Sequence, residues 1–384
     1  MKICFVSPGV LYTSDRKFHQ QGSESVILGI SRCLSKKGHQ VYITGRFKDF
    51  EDNEMYNEDI NFINIKSPYL RDDKIYQIGS AILYSKEASR ELNKLDMDIL
   101  SLNERFSAFF PSKLNIPKTF TTHNPDAMDF YKSFAFKNNK LNHAFFDLKK
   151  KIEESVISNS DKIIALNRFI ANYLKDKGFD STTIIPNAVD VKKYFNREDD
   201  NFILYAGRLS NVKGISYLIK AFSKINKETD DFRLLIVGSG PEEFKLKSLV
   251  QKENIESKVQ FCPMVNKTKL REYLSRCSVF VLPSLFEMMP VTLLEVMASS
   301  KPVIVSNIPG PADIIKHSYN GLLFEKGNIN ELSEYLKILI EDKNLRDKLG
   351  RNARKTVEDG YTFEKVAERY EKLFSALVEN RNVT

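Results

Sequence analysis

The sequence predicts an α/β protein made of two doubly wound parallel-sheet lobes. Three observations carry this reading. Short apolar strands alternate with amphipathic helices along the whole chain, the alternation is interrupted by a polar stretch near 190–201 and then resumes, and 384 residues suffice for two domains with a core each. The first lobe opens with the strand Lys2-Ile-Cys-Phe-Val-Ser. A helix near Ser25 to Lys37 follows, and Lys37-Gly38-His39 ends it with a basic last turn and a glycine stop. Further strands are expected at Val41-Tyr-Ile-Thr, Ile99-Leu-Ser-Leu, Lys118-Thr-Phe-Thr-Thr-His and Lys162-Ile-Ile-Ala-Leu. Thr182 to Asp190, then the polar run Asn196 to Asn201, reads as the interdomain connection. In the second lobe, strands are expected near 202–206, 233–237, 259–262, 279–282 and 302–305, which places the division at 192/193.

Composition excludes several classes. Hydrophobic residues make up 42% and charged residues 28%, as in an ordinary soluble globular protein. The apolar run at the amino terminus is too short for a signal peptide, and no stretch reaches the ~18–20 apolar residues that a membrane span needs, so a cytoplasmic location is expected. Cys4, Cys33, Cys262 and Cys277 sit singly in apolar patterns without C-x-x-C spacing, so they are expected to be buried, reduced thiols. The formal charge of +8 is spread over both halves, which argues against a nucleic-acid face despite a pI near 9.0.

The residues that carry chemistry lie mainly in the second lobe. Asn201-Phe-Ile-Leu-Tyr-Ala-Gly-Arg-Leu-Ser-Asn-Val-Lys-Gly gives a strand and a glycine-containing turn, with Arg208 and Lys213 just beyond the strand's carboxyl end. Ligands of open parallel sheets collect there, so two cations at that place suit a diphosphate, and Gly207 and Gly214 would let backbone and phosphate approach closely. Phe232-Arg-Leu-Leu-Ile-Val-Gly-Ser-Gly-Pro again puts glycines, Gly238 and Gly240, at a strand end. It is not a dinucleotide fingerprint, because Glu243 stands at the third glycine position.

Glu287 and Glu295 bracket the end of the strand Cys277-Ser-Val-Phe-Val-Leu, a tight loop with Met288, Met289 and Pro290, and the first turn of a helix running from Val291 to Ala298. Backbone N–H groups at that helix start form an anion site, and a carboxylate on either side can accept hydrogen bonds from sugar hydroxyls. A separate cluster, 131–151, has six lysines against Asp147, interleaved with Tyr131, Phe134, Phe136, Phe145 and Phe146. It suits peripheral contact with an anionic membrane, or equally a helix with its aromatics inward and its lysines solvated.

Gly207-Arg208-Leu209 with Lys213-Gly214, Val237-Gly238-Ser239-Gly240-Pro241, the Glu287/Glu295 pair, Ile185-Pro-Asn-Ala-Val-Asp190 and the closing Tyr361-Thr-Phe-Glu-Lys-Val-Ala-Glu-Arg-Tyr together resemble glycosyltransferase family 4. The resemblance covers nearly the whole chain. It implies the GT-B fold, in which two Rossmann-like domains face each other across a cleft, and retaining transfer from a nucleotide sugar. It implies an acceptor-binding domain at 1–192, a domain for the sugar nucleotide at 193–362, and a last helix, 363–384, that crosses back to the first domain.

Residue by residue, the resemblance implies that Arg208 and Lys213 neutralise the donor diphosphate and Glu295 accepts from the ribose hydroxyls. Glu287, with the loop Met288, Met289, Pro290 and Val291, would lie by the transferred sugar, and Gly238 beside the donor. His123, in Thr121-Thr-His-Asn-Pro, matches a histidine of the first domain that approaches the sugar, and Gly22 matches a glycine turn near the diphosphate. The expected catalytic set is therefore His123, Glu287, Arg208 and Lys213. The chain departs from the family's usual pattern at Gln21-Gly22, at Met288-Met-Pro290, which puts the identity of the sugar in doubt, at Ala188 and at Ser299-Ser300. The donor is expected to be a uridine or guanosine diphosphate sugar, with no tightly bound cofactor. The acceptor is expected to be a saccharide, lipid-linked or part of a surface polysaccharide. No D-x-D-like motif sits at a strand end, so no essential metal is expected. A sugar-nucleotide epimerase and a non-catalytic sugar-nucleotide-binding protein are the alternatives.

Overall fold

The computed structural model describes residues 1–7, 11–12, 22–47, 60–67, 74–123, 140–225 and 231–381. They form two units, Met1–Asn187 with Phe363–Thr384, and Ala188–Thr362.

The described part of the first unit is an eight-stranded sheet of β1 (Lys2–Val6), β2 (Leu11–Tyr12), β3 (Gln40–Phe47), β4 (Asn61–Asn64), β5 (Ile99–Leu102), β6 (Lys118–Thr122), β7 (Lys162–Ala165) and β8 (Thr182–Ile184). Their order is β2-β3-β1-β5-β6-β7-β8, with β4 also on β3, and each pairing is parallel. Every residue of β5 and β6 is buried. A strand covered by helices on both faces needs apolar or internally satisfied side chains throughout, which is why such segments read as unbroken runs. β4 and β8 carry mostly half-exposed side chains and left no such run. Thr182–Ile184 is thus the last strand of this sheet, paired with β7, and does not belong to a connection.

The helix Phe363–Arg381 belongs to this unit although it closes the chain. Its buried residues, Val366, Ala367, Tyr370 and Phe374, fall at helical spacing and make one stripe. Tyr370 and Phe374 set their rings 6.2 and 6.3 Å from that of Phe5 on β1. Fully burying one such side chain contributes about 2–3 kcal/mol. The Phe363 ring lies so close over Gly29 that a Cβ there would sit 2.3 Å from it. Glu371 accepts from Lys37 at 2.6 Å and faces His39 Nε2 at 3.0 Å, fixing the helix at its polar side.

The second unit is a six-stranded sheet of β9 (Phe202–Ala206), β10 (Arg233–Val237), β11 (Val259–Cys262), β12 (Val279–Leu282), β13 (Val303–Ser306) and β14 (Leu322–Phe324) in the order β11-β10-β9-β12-β13-β14. All neighbours are parallel. The chain steps outward from β9 through β10 to β11, then returns to the other side of β9 with β12. The strand order therefore reverses between β9 and β12, and loops leaving those two carboxyl ends diverge and leave a crevice. The helix Ile215–Ile225 covers this sheet with Ile215, Leu218, Ile219, Ala221, Phe222 and Ile225. Asn196 to Asn201 is anchored inside the unit and is no free linker. Arg197 and Asp200 donate their N–H groups to the carbonyls of Ser275 and Arg276 at 2.9 and 3.0 Å, and Asp199 pairs with the buried Lys301 at 2.6 Å.

Of the cysteines, Cys4 and Cys277 are buried, and burial pushes the Cys277 thiol up to about 12. Cys33 and Cys262 are half-buried, short of the full burial that the sequence predicts, and none of the four is joined in a disulfide among the described residues.

Candidate functional site

Two loops meet at the reversal of strand order in the second unit. After β9 the chain makes a short 3-10 turn, Asn211–Lys213, that Gly214 ends at φ 62°. A Cβ on Gly214 would stand 2.0 Å from the Pro283 carbonyl oxygen in the loop after β12. The glycine is therefore required for loop to pack on loop, a nearer cause than room for a ligand. Leu285 seals the junction by donating its N–H to the Val212 carbonyl at 2.8 Å. Gly238, at φ 147°, has the same role after β10, where a Cβ would lie 1.9 Å from the Gly207 oxygen.

This packing brings Lys213 to Glu287. Its Nζ donates to Glu287 Oε1 at 2.5 Å, and Ser284 Oγ donates to the same oxygen at 2.9 Å. Glu287 is 9% exposed, while the Lys213 side chain keeps 25% of its surface. Arg208 is exposed earlier in the same loop, and its guanidinium makes no ion pair among the described residues. Its backbone carbonyl accepts from the Tyr205 hydroxyl at 3.0 Å. Burial, and secondarily the charge of Glu287, hold that phenol well above its usual range, so it stays a donor.

Met288 and Met289 are buried, and Pro290 precedes the helix Val291–Ala298 as its N-cap with no side-chain cap bond. Gly310, at φ 92°, closes on this loop from behind, where a Cβ would lie 2.1 Å from the Met288 oxygen. Glu295 is the fifth residue of the helix and 3% exposed. Its Oε1 accepts from the Tyr194 hydroxyl at 2.9 Å and from Lys267 Nζ at 2.8 Å. Burial, then the Glu295 charge, push the Tyr194 phenol far up, so this group too remains a donor. Sequence reasoning missed Tyr194, Lys267, Ser284 and Gly310. Ser284 and Gly310 lie in strand-end loops that could have suggested them; Tyr194 and Lys267 reach Glu295 only through folding.

The two first-unit candidates are placed as follows. Gly22 is the first residue of the helix Gly22–Lys36. His123 follows β6, and its Nε2 is buried with no hydrogen-bond partner among the described residues. Burial, then the nearby Arg105 charge, push its pKa down to about 4, so the ring is neutral near pH 7. Of the lysine-aromatic cluster, 131–139 lie outside the described residues. In the helix Lys140–Ser158, Phe146 is buried, Leu148 is exposed and Lys150 stands 3.9 Å from Glu154. No described helix is long and apolar enough to cross a membrane. Among the described residues, no three His, Cys, Asp or Glu side chains gather as a metal site.

The family model for "Glycosyltransferase Family 4" matches residues 21–193, and that for "Glycosyl transferases group 1" matches residues 187–356. An uncharacterised glycosyltransferase of Haemophilus influenzae is 30% identical over 91% of this chain and 95% of its own length. The chain belongs to glycosyltransferase family 4. A second glycosyltransferase, from Methanocaldococcus jannaschii, is 29% identical over 88% of this chain and 93% of its own. A capsular polysaccharide biosynthesis glycosyltransferase of Staphylococcus aureus is 27% identical over 60% of each chain. Among solved structures, sucrose-phosphate synthase from Thermosynechococcus elongatus superposes with a TM-score of 0.82 at 20% identity over 99% of both chains. The Anabaena protein HepE in complex with UDP-glucose gives 0.75 at 15% identity, over 98% of this chain and 100% of that one. This family 4 glycosyltransferase has the GT-B fold, with two parallel-sheet α/β domains.

Proposed function

We propose that the enzyme is a retaining transferase that moves a hexose-type sugar from a nucleoside diphosphate sugar to a saccharide acceptor, on a lipid-linked or surface polysaccharide. The observation that carries this reading is the grouping of Arg208, the Lys213–Glu287 pair and an uncapped helix start at the reversal of strand order in one sheet. Breaking the bond between the anomeric carbon and phosphate builds negative charge on the leaving diphosphate and positive charge on the sugar ring. Arg208, Lys213 and the first N–H groups of the helix Val291–Ala298 stabilise the former. Glu287 Oε2, which takes no bond from a described residue, faces the latter or a sugar hydroxyl.

Uridine is the first donor base to test, because a structural neighbour is a UDP-glucose complex. Melting the protein against uridine, guanosine and adenosine diphosphate sugars should show one clear stabiliser, since a ligand that binds only the folded state raises its melting temperature. Turnover of that donor should need a saccharide acceptor, and the product should keep the donor's anomeric configuration. Conversion of the donor without acceptor would identify an epimerase, and binding without turnover a sensor. Activity abolished by a chelator and restored by a divalent ion would mean that the leaving charge is carried by something other than these side chains.

A further inference from the structure

Glu295 is fixed by two groups outside its own motif. A carboxylate buried to this degree needs a counter-charge and hydrogen-bond donors, or it is costly to keep. Lys267, the first residue of the helix Lys267–Arg276, supplies the charge, and Tyr194, just past the 3-10 turn Val191–Lys193, supplies the second donor. Both bonds go to Oε1, and Oε2 takes none from a described residue. A free glutamate side chain would have to be ordered when a ligand binds, whereas this one is already in place.

We propose that Lys267 and Tyr194 are positioning residues for the nucleoside half of the donor: by occupying Oε1 they turn Oε2 toward a ribose hydroxyl, and so set how strongly the enzyme prefers ribonucleotides. This rests on the donor reading above. The two residues touch the ligand only through Glu295, so their loss changes donor affinity and KM, with kcat nearly unchanged. Tyr194→Phe removes one oxygen from a side chain that is 6% exposed and leaves the ring in place. Lys267→Ala removes the ammonium from a side chain that keeps 35% of its surface.

The test measures affinity for the ribonucleoside diphosphate, of uridine, guanosine or adenosine, that binds best, and for its 2′-deoxy and 3′-deoxy analogues, in wild type and in both variants. Wild type should prefer the ribonucleotide over at least one analogue by about tenfold or more, as for a hydrogen bond to a charged group. Each variant should reduce that ratio by about threefold or more, mainly by weakening the ribonucleotide. Equal weakening of ribo and deoxy ligands would mean a structural role only and would overturn the proposal, as would no change. If Lys267→Ala fails to fold, Tyr194→Phe carries the test alone. Should Lys213→Ala lose diphosphate affinity while neither variant moves the ratio, the donor reading stands and this inference alone fails. If wild type binds no nucleotide, both fall.

Discussion

Glu287 and Glu295 are held by the same chemistry and by different segments of the chain. Each offers Oε1 to one ammonium and one hydroxyl, Lys213 with Ser284 in the first case and Lys267 with Tyr194 in the second. The holders of Glu287 are close at hand, for Ser284 is three residues earlier in its own loop and Lys213 stands in the turn that packs on that loop. Those of Glu295 come from separate elements, 101 and 28 residues upstream. The ammonium on Glu287 also shares its loop with Arg208, where a diphosphate is proposed to sit, so on that reading its charge would serve two partners. The ammonium on Glu295 serves one. On the proposed function, a similar clamp serves chemistry in one place and binding alone in the other.

The largest expected effect breaks that contrast if it is wrong. On the proposed function Lys213 is a preorganised donor to the leaving group, so Lys213→Ala should lower kcat about a hundredfold or more. Lys267→Ala should chiefly raise the donor KM. A shared kcat-to-KM pattern in steady-state kinetics would mean that the two clamps do the same work. Lys213→Ala also leaves the buried Glu287 with only Ser284, at a cost of about 1–3 kcal/mol. The double variant with Glu287→Ala should recover some of that stability in denaturant titrations and none of the turnover.

His123 extends the comparison to a group with no described holder. Its pKa lies near 4, below the ordinary 6.5, so the folded chain binds fewer protons than the unfolded one between those values. Its contribution to stability is therefore complete above about pH 6.5 and is lost as pH falls toward 4, to at most about 3 kcal/mol. Urea unfolding of wild type and His123→Asn at pH 7 and pH 4.5 isolates this share, and the variant should lose less stability on acidification. Equal losses would show that the ring is solvated and titrates normally.

How far the sequence reveals this site follows from how each element is encoded. β9 and β12 are buried on both faces, so they appear as apolar runs, and the glutamates and cations stand at fixed distances beyond them. Local spacing therefore displays Arg208, Lys213, Glu287 and Glu295. β14, with three residues, and the half-exposed β8 are too short or too polar to show a period. Tyr194 and Lys267 have no local signature, because their role arises only when the sheet brings their elements to the helix Val291–Ala298. Gly214 is legible as a turn glycine, but its reason, the Pro283 carbonyl 2.0 Å from where a Cβ would be, is not.

A smaller effect is expected at Gly310, which supports the Glu287 side only. Gly310→Ala would place a methyl group against the Met288 and Glu287 carbonyls, 2.1 and 2.8 Å from the ideal Cβ position, at a φ that L residues rarely adopt. Strain of about 1–3 kcal/mol should displace the loop 287–289 and lower turnover about tenfold, with the affinity for a bare nucleoside diphosphate changed much less. An equal loss of nucleotide affinity would mean that the two glutamates are not independent.

The smallest effect should appear at Arg354, which supports the Glu295 side from further back. Its guanidinium donates to the Tyr194 carbonyl at 2.9 Å and to the Ala298 carbonyl, the last residue of the helix bearing Glu295, at 2.6 Å. One cation thus ties the residue that holds Glu295 to the helix that carries it, and also favours the negative end of that helix. Arg354→Ala should cost about 1–2 kcal/mol of stability, since the side chain is 29% exposed and water replaces some of what is lost. Donor KM should rise a few-fold with kcat unchanged, and Arg354→Lys, which keeps one donor, should fall between. A loss of kcat instead would carry the influence of Arg354 across to Glu287 and merge the two clamps into one network.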